Sequence, residues 1–164
     1  MPRVLDQSGR WAIDAVESSH VRLTSGRIGL VSVDVQAPIA SGILERDEQA
    51  LSLHLAISLD QLRTRSPILQ AAARALIRRH RASRLTFTGS GSTAEPWRVS
   101  GSARAGDVEL PLSLDLTRLS TNDATGLEIA GTADVGTVNL PLPGLGRVDD
   151  FSFDVQARLR VHLT

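Results

Sequence analysis

The chain has 164 residues, 18 basic and 18 acidic side chains, and neither cysteine nor lysine. That length fits one domain over residues 1–164, large enough to bury a core without a metal or disulfide staple. Zero net charge argues against nucleic acid as a partner. The missing residue types exclude disulfides, thiolate catalysis and lysine Schiff-base chemistry.

The first predicted elements are short. Trp11 and Ile13 flank Ala12, and Val21 and Leu23 follow the polar run Glu17-Ser18-Ser19. Val31, Val33 and Val35 alternate with Ser32 and Asp34. Residues 51–59 give a plainer signal, with Leu51, Leu53, Leu55, Ile57 and Leu59 on one face. Ser52, His54, Ala56 and Ser58 take the other. A two-residue period of this kind predicts strands with one face on a core and one in water.

The period then changes. Residues 66–80 predict a helix, with Ser66 as N-cap and Pro67 at the first helical position. Ile68, Leu69, Ala72, Ala73, Leu76 and Ile77 recur at helical spacing. Arg74, Arg78, Arg79 and Arg81 gather toward its end, where cations suit the helix dipole.

Alternation resumes at Leu85 and Phe87, and again at Trp97, Val99 and Gly101. Residues 108–116 place Val108, Leu110, Leu112, Leu114 and Leu116 on one side. Pro111 on the other side predicts an edge or a bulge, because proline has no N–H for a strand ladder. Leu127 and Ile129 flank Glu128. The Gly- and Pro-rich stretch 134–150 reads as an irregular surface connection. Residues 151–161 close the series with Phe151, Phe153, Val155, Ala157, Leu159 and Val161 on one face. About eight short strands with one helix inserted midway predict an all-β, antiparallel barrel or sandwich.

The residues that carry chemistry are sparse. His20, His54 and His162 fall on polar strand faces, and His80 ends the helix. No histidine pair has metal-ligand spacing, so no metal is expected. There is no G-x-S-x-G elbow. Gly89-Ser90-Gly91-Ser92 lacks the lysine and the following helix of a phosphate loop, and reads as a hairpin turn. No enzyme activity and no cofactor are expected. The N-terminus is polar and no apolar stretch reaches membrane-spanning length, so a cytoplasmic protein is expected.

The order of these features resembles that of the YceI-like family of bacterial lipocalin-like barrels. Trp11-Ala12-Ile13-Asp14 and Ser18-Ser19-His20-Val21 are similar to that family's opening W-x-I-D and S-x-V segments. Ile57 to Thr64 is similar to its strand with a Ser-x-x-Thr turn. The helical insertion of 65–84, the return through Leu85-Thr86-Phe87, and Val99-Ser100-Gly101 through Glu109-Leu110-Pro111-Leu112 follow in the same order. The Arg-Asp pair and the Asp-Phe-Phe segment usual in the family's insertion are missing. The resemblance spans roughly residues 9–162. It implies an eight-stranded antiparallel barrel holding a long isoprenoid or other lipid-like chain.

Leu, Val, Ile and Ala must build the interior, since only five residues are Phe or Trp and none is Tyr. Such an interior suits a flexible apolar ligand. Leu53, Leu55, Ile57, Ile68, Leu69, Leu76, Phe87, Leu112, Leu114, Phe151 and Phe153 are the expected cavity wall. Arg74, Arg78 and Arg79 are the expected contacts for a ligand headgroup or an anionic membrane surface. A carrier or storage role follows, with a homodimer left open. The alternative is a barrel packed with its own side chains that serves as a structural or protein-interaction module. Alternation looks the same in both cases, because a filled core and a hollow one each need one apolar face per strand.

Overall fold

The structure is a computed structural model and describes residues 8–13, 20–28, 31–120, 125–139 and 147–163. In chain order the strands are β1 (Gly9–Ile13), β2 (His20–Ile28), β3 (Val31–Arg46), β4 (Ala50–Ser58) and the two-residue β5 (Arg63–Thr64). After helix α1 (Pro67–His80) come β6 (Arg84–Ser92), β7 (Trp97–Ala105), β8 (Val108–Ser120), β9 (Thr125–Asn139) and β10 (Arg147–Leu163).

These strands form a closed, eight-stranded antiparallel barrel with a single helix. Neighbours run β2-β3-β4-β6-β7-β8-β9-β10, and β10 pairs back onto β2. The first stave is made of two pieces. β1 lies between β10 and the far half of β3, while β2 lies between the same two strands nearer the other end. Both pieces run antiparallel to both neighbours, as one interrupted strand would. β5 pairs Val35 and Gln36 of β3, continuing the line of β4 past a 3-10 turn at Leu59–Gln61.

The alternation in sequence becomes an alternation in burial. Leu51, Leu53, Leu55 and Ile57 of β4 are buried, as are Val155, Ala157, Leu159 and Val161 of β10. In β3 the inward set changes parity. Val35, Ala37 and Ile39 face in, then Leu44 does. An irregularity between Ile39 and Ser41 in the pairing with β4 adds one residue and makes the switch.

Helix α1 has the expected bounds and caps. Ser66 Oγ accepts from the Leu69 N–H at 3.3 Å, and Pro67 opens the helix. Arg81 ends it in the left-handed region at φ 52°, and the Ala82 N–H reaches the Ile77 carbonyl at 2.8 Å. The helix buries Leu69 and Ala72, with Ala73 and Ile77 against the core.

Two expectations change. The stretch 134–150 is not one irregular connection: β9 continues to Asn139 and β10 begins at Arg147, with Val138 opposite Val148. Pairing between long neighbours overrides weak strand propensity there, and Gly136 at φ 77° and Asp150 at φ 53° absorb the irregularities. Residues 140–146 of that stretch lie outside the described residues, as do Asp14, Ser18 and Ser19. Pro111 sits in a strand with two neighbours elsewhere along its length, yet locally it has one. β8 pairs β9 only from Leu114 to Ser120, so among the described residues 108–113 pair with β7 alone. The edge that proline predicts is therefore an unzipped seam within the barrel.

Candidate functional site

The barrel is filled at one end and hollow at the other. The filled end carries the β3–β4 and β6–β7 turns, and its inward residues are large: Trp11, Leu44, Leu51, Leu53, Trp97, Leu116 and Leu127. The hollow end carries α1 and the β7–β8 turn. β7 shows the change within one strand, because its inward positions read Trp97, Val99, Gly101, Ala103, Ala105 from filled end to hollow end. Alanines at 37, 103, 105, 133 and 157 leave the space that larger side chains would close.

The result is a cavity of about 150 Å³ whose lining presents no polar atoms. Val21, Leu23, Ile57, Leu59, Leu85 and Phe153 help to wall it. Val108 and Leu110, from the stretch of β8 that pairs with β7 alone, and Ala133 of β9 reach it beside the seam. An apolar hollow of this kind offers burial and no directed polar contact, so it selects for hydrocarbon.

Of the eleven expected wall residues, Leu55, Ile57, Phe87, Leu112, Leu114 and Phe153 come together around the cavity. Leu53 is fully buried in the filled half and does not reach it. Leu69 is buried beneath α1, and Leu76 is half-buried on the same helix. Phe151 is half-buried beside Phe153, with ring centroids 6.1 Å apart, and neither it nor the two helix leucines lines the cavity. Ile68 is 60% exposed and points away. α1 turns Leu69 and Ala72 inward, with Ala73 and Ile77 against the core, and Ile68 stands about 100° from Leu69 on the helix wheel. The alanines and Leu59 were not anticipated. Their signal was small residues at inward strand positions of one end only.

The expected headgroup contacts divide. Arg74 and Arg78 line an open groove between α1 and the 3-10 turn, together with Asp60, Gln70 and Ile77, while Arg79 is exposed outside it. Leu59 belongs to both the groove and the cavity and forms the partition between them. Its N–H donates to the Ser83 carbonyl at 2.9 Å, which fixes the partition to the far end of the insertion. Gln70 secures the near end, its amide bonded to the backbone at Leu62 and Thr64. At the helix terminus His80 Nδ1 and Asp107 Oδ1 stand 2.8 Å apart, and the Asp107 N–H reaches the His80 carbonyl.

The histidines do not converge. His54 lies on the outer face of β4 beside Thr88, and His80 is engaged with Asp107 outside the cavity. Among the described residues no group of three His, Asp or Glu side chains is placed to hold a metal. Asp34, Asp47 and Glu109 have carboxyls held below their ordinary range, by the Arg22 guanidinium, by the Gln49 and Ala50 N–H groups, and by Arg104 respectively. All three are on the outside of the barrel and bear on stability, not on the cavity.

The closed eight-stranded barrel also occurs in two solved structures. One is a polyisoprenoid-binding domain from Saccharophagus degradans implicated in plant cell wall breakdown. It superposes with a TM-score of 0.59 at 15% identity, over 96% of this chain and 100% of that chain. The fold is that of the YceI-like barrels. The second YceI-like structure is BcnA from Burkholderia cenocepacia, with a TM-score of 0.60 at 11% identity, over 89% of this chain and 98% of that one. At these identities the likeness is one of fold. No protein-family model and no curated protein sequence matches the chain.

Proposed function

We propose that this YceI-like barrel is a non-catalytic binder of an isoprenoid or similar lipid-like chain, held in the cavity at the helix end and carried or stored there. The observation that carries this reading is the cavity itself: a hollow without polar lining, left open by alanines at one end of an otherwise tightly filled barrel. The solved structure of a polyisoprenoid-binding domain with the same fold supports it. Binding rests on burial, at roughly 25 cal/mol per Å² of apolar surface. Arg74 and Arg78 stand one residue, Leu59, away from the hollow, and suit an anionic head on the ligand. Residues 63–84 contain seven arginines and no acid, which favours an anionic lipid surface as the place of loading. The packed-module alternative describes the filled half of the barrel and leaves the alanine-lined half without a purpose.

The test is lipid extraction and native mass spectrometry of the purified protein, with thermal shifts for prenyl alcohols and fatty acids of five to twenty carbons. Copurified lipid or a raised melting temperature is expected, and Ala103→Leu, which fills the hollow, is expected to abolish the shift while the protein stays folded. No bound lipid and no shift with any chain would overturn the reading.

A further inference from the structure

The cavity has a floor, and glycines shape it. Leu55, Phe87, Leu114 and Ile129 are buried and form the lowest lining residues, above the packed layer of Leu53, Val99, Leu116 and Leu127. Three of these side chains pack over or beside a residue that has no β-carbon. A β-carbon on Gly89 would stand 2.5 Å from Phe87 Cζ and 2.9 Å from Cε1, so the ring is laid along its own strand over Gly89. A β-carbon on Gly131, directly opposite Leu114, would stand 2.5 Å from the Ser113 carbonyl oxygen and 2.8 Å from Leu114 Cδ2. One on Gly42, opposite Leu55, would stand 2.6 Å from Ile13 Cδ1 and 3.0 Å from Leu55 Cδ2. With these side chains seated against the glycines, the cavity lining ends at their level and fully packed side chains begin below it.

From this we infer that Leu55, Phe87 and Leu114, held down by Gly42, Gly89 and Gly131, are a stop that restricts the ligand to a short chain. The inference rests on the binding function proposed above and sets its substrate class. A hollow of about 150 Å³ is the size of an engineered cavity that takes one benzene. It therefore takes the terminal six or so carbons of a prenyl or acyl chain, by that comparison, and the packed half below admits no more. The ligand is a short-chain prenyl or acyl compound whose remaining atoms stay at the seam and the arginine groove, not a long polyprenyl chain threaded through the barrel.

A series of straight 1-alkanols from four to sixteen carbons, titrated by calorimetry, tests this. Affinity is expected to rise roughly fourfold per methylene while carbons are being buried, then to stop rising at a break between about six and ten carbons. A rise that continues to sixteen carbons overturns the stop while leaving the binding function intact. No binding by any alkanol or prenyl alcohol overturns both. Leu114→Ala is expected to move the break to longer chains, and Gly89→Ala, which lifts the Phe87 ring, to shorter ones. Leu114→Val, a smaller truncation of the same floor residue, is expected to shift the break in the same direction as Leu114→Ala. A break that stays in place in folded variants overturns the assignment of the floor residues.

Discussion

The Gln70 side-chain amide donates from Nε2 to the Leu62 carbonyl at 2.8 Å, and in the other direction its Oε1 accepts from the Thr64 N–H at 3.0 Å. One side chain thus reproduces the two bonds of a neighbouring strand and ties α1 to the short β5 segment. Gln70→Ala is expected to destabilise the protein by about 1–2 kcal/mol, since two half-buried backbone groups lose partners. Gln70→Glu is expected to cost at least as much, because the donor is replaced by a second acceptor facing the Leu62 carbonyl. Urea midpoints check the magnitude. Hydrogen exchange checks the place, with faster exchange expected over residues 67–80 and little change in β6 to β8.

The two tryptophans differ in a way that mutation exposes. Trp11 is fully buried and its Nε1 has no hydrogen-bond partner among the described residues. Trp97 Nε1 donates to the Thr93 carbonyl at 3.1 Å, and the guanidinium carbons of Arg118 and Arg46 lie 4.7 and 5.3 Å from its ring centroid. Trp11→Phe removes an unsatisfied N–H as well as some packing, so the two effects oppose each other and a net change under about 1 kcal/mol is expected. Trp97→Phe removes a hydrogen bond and weakens two cation–π contacts, and should cost about 2 kcal/mol or more. Reversal of that order in paired denaturation curves would refute the account.

Leu53 and Ile68 were expected at the same wall, and the structure separates them. Leu53→Ala opens a hole in the filled half and is expected to cost about 2–5 kcal/mol. Ile68→Ala removes an exposed side chain and should fall within about 0.5 kcal/mol of wild type. Thermal unfolding reads both. Decanol affinity, measured well below the melting temperature, is expected to be unchanged in Ile68→Ala, because Ile68 does not touch the hollow.

The stability contributed by Asp34, Asp47 and Glu109 should hold above the ordinary carboxylate range and be lost below it. Asp34, Asp47 and Glu109 have lower pKa values in the folded than in the unfolded chain, the first because Arg22 hydrogen-bonds it, the others through backbone N–H groups and Arg104. Their stabilisation is complete above the unfolded value, about pH 4, and is lost as pH falls through the lowered folded values. All three are exposed, so each contribution is small. Urea midpoints between pH 2.5 and pH 7, values chosen to bracket about pH 4, should show the fall, and Asp47→Asn should make it shallower.

Much of this fold is legible in the sequence because each strand in a barrel has one wet face and one dry face. The strands at 51–58, 108–116 and 151–161 follow directly from that, and α1 follows from Ser66, Pro67 and the change of period. β3 is legible only to Val35, because the extra residue near Ala40 reverses which positions are apolar. The site is harder to read. Alternation marks Leu53 and Leu55 as equals, and only their distance along the bore makes one filler and the other lining. The gradient from Trp97 to Ala105 in β7 carried that information as residue size rather than as hydrophobicity. Ile68 is exposed because it lies at one edge of the inward stripe on the first turn of α1, beside the buried Leu69, and helical spacing alone does not tell an edge residue from an inward one.

The seam between β8 and β9 leaves two stretches of strand with peptide groups on one side unclaimed by a neighbour among the described residues. Such borders recruit strands from other chains and seed aggregates. Pro111 stands in the middle of the β8 border, where it offers no N–H to an incoming strand and its ring obstructs close approach. The residue that first marked an irregular strand is thus a guard against self-association. Pro111→Val, a better strand former, would make the protein more prone to dimerise or precipitate even where it unfolds at a higher temperature.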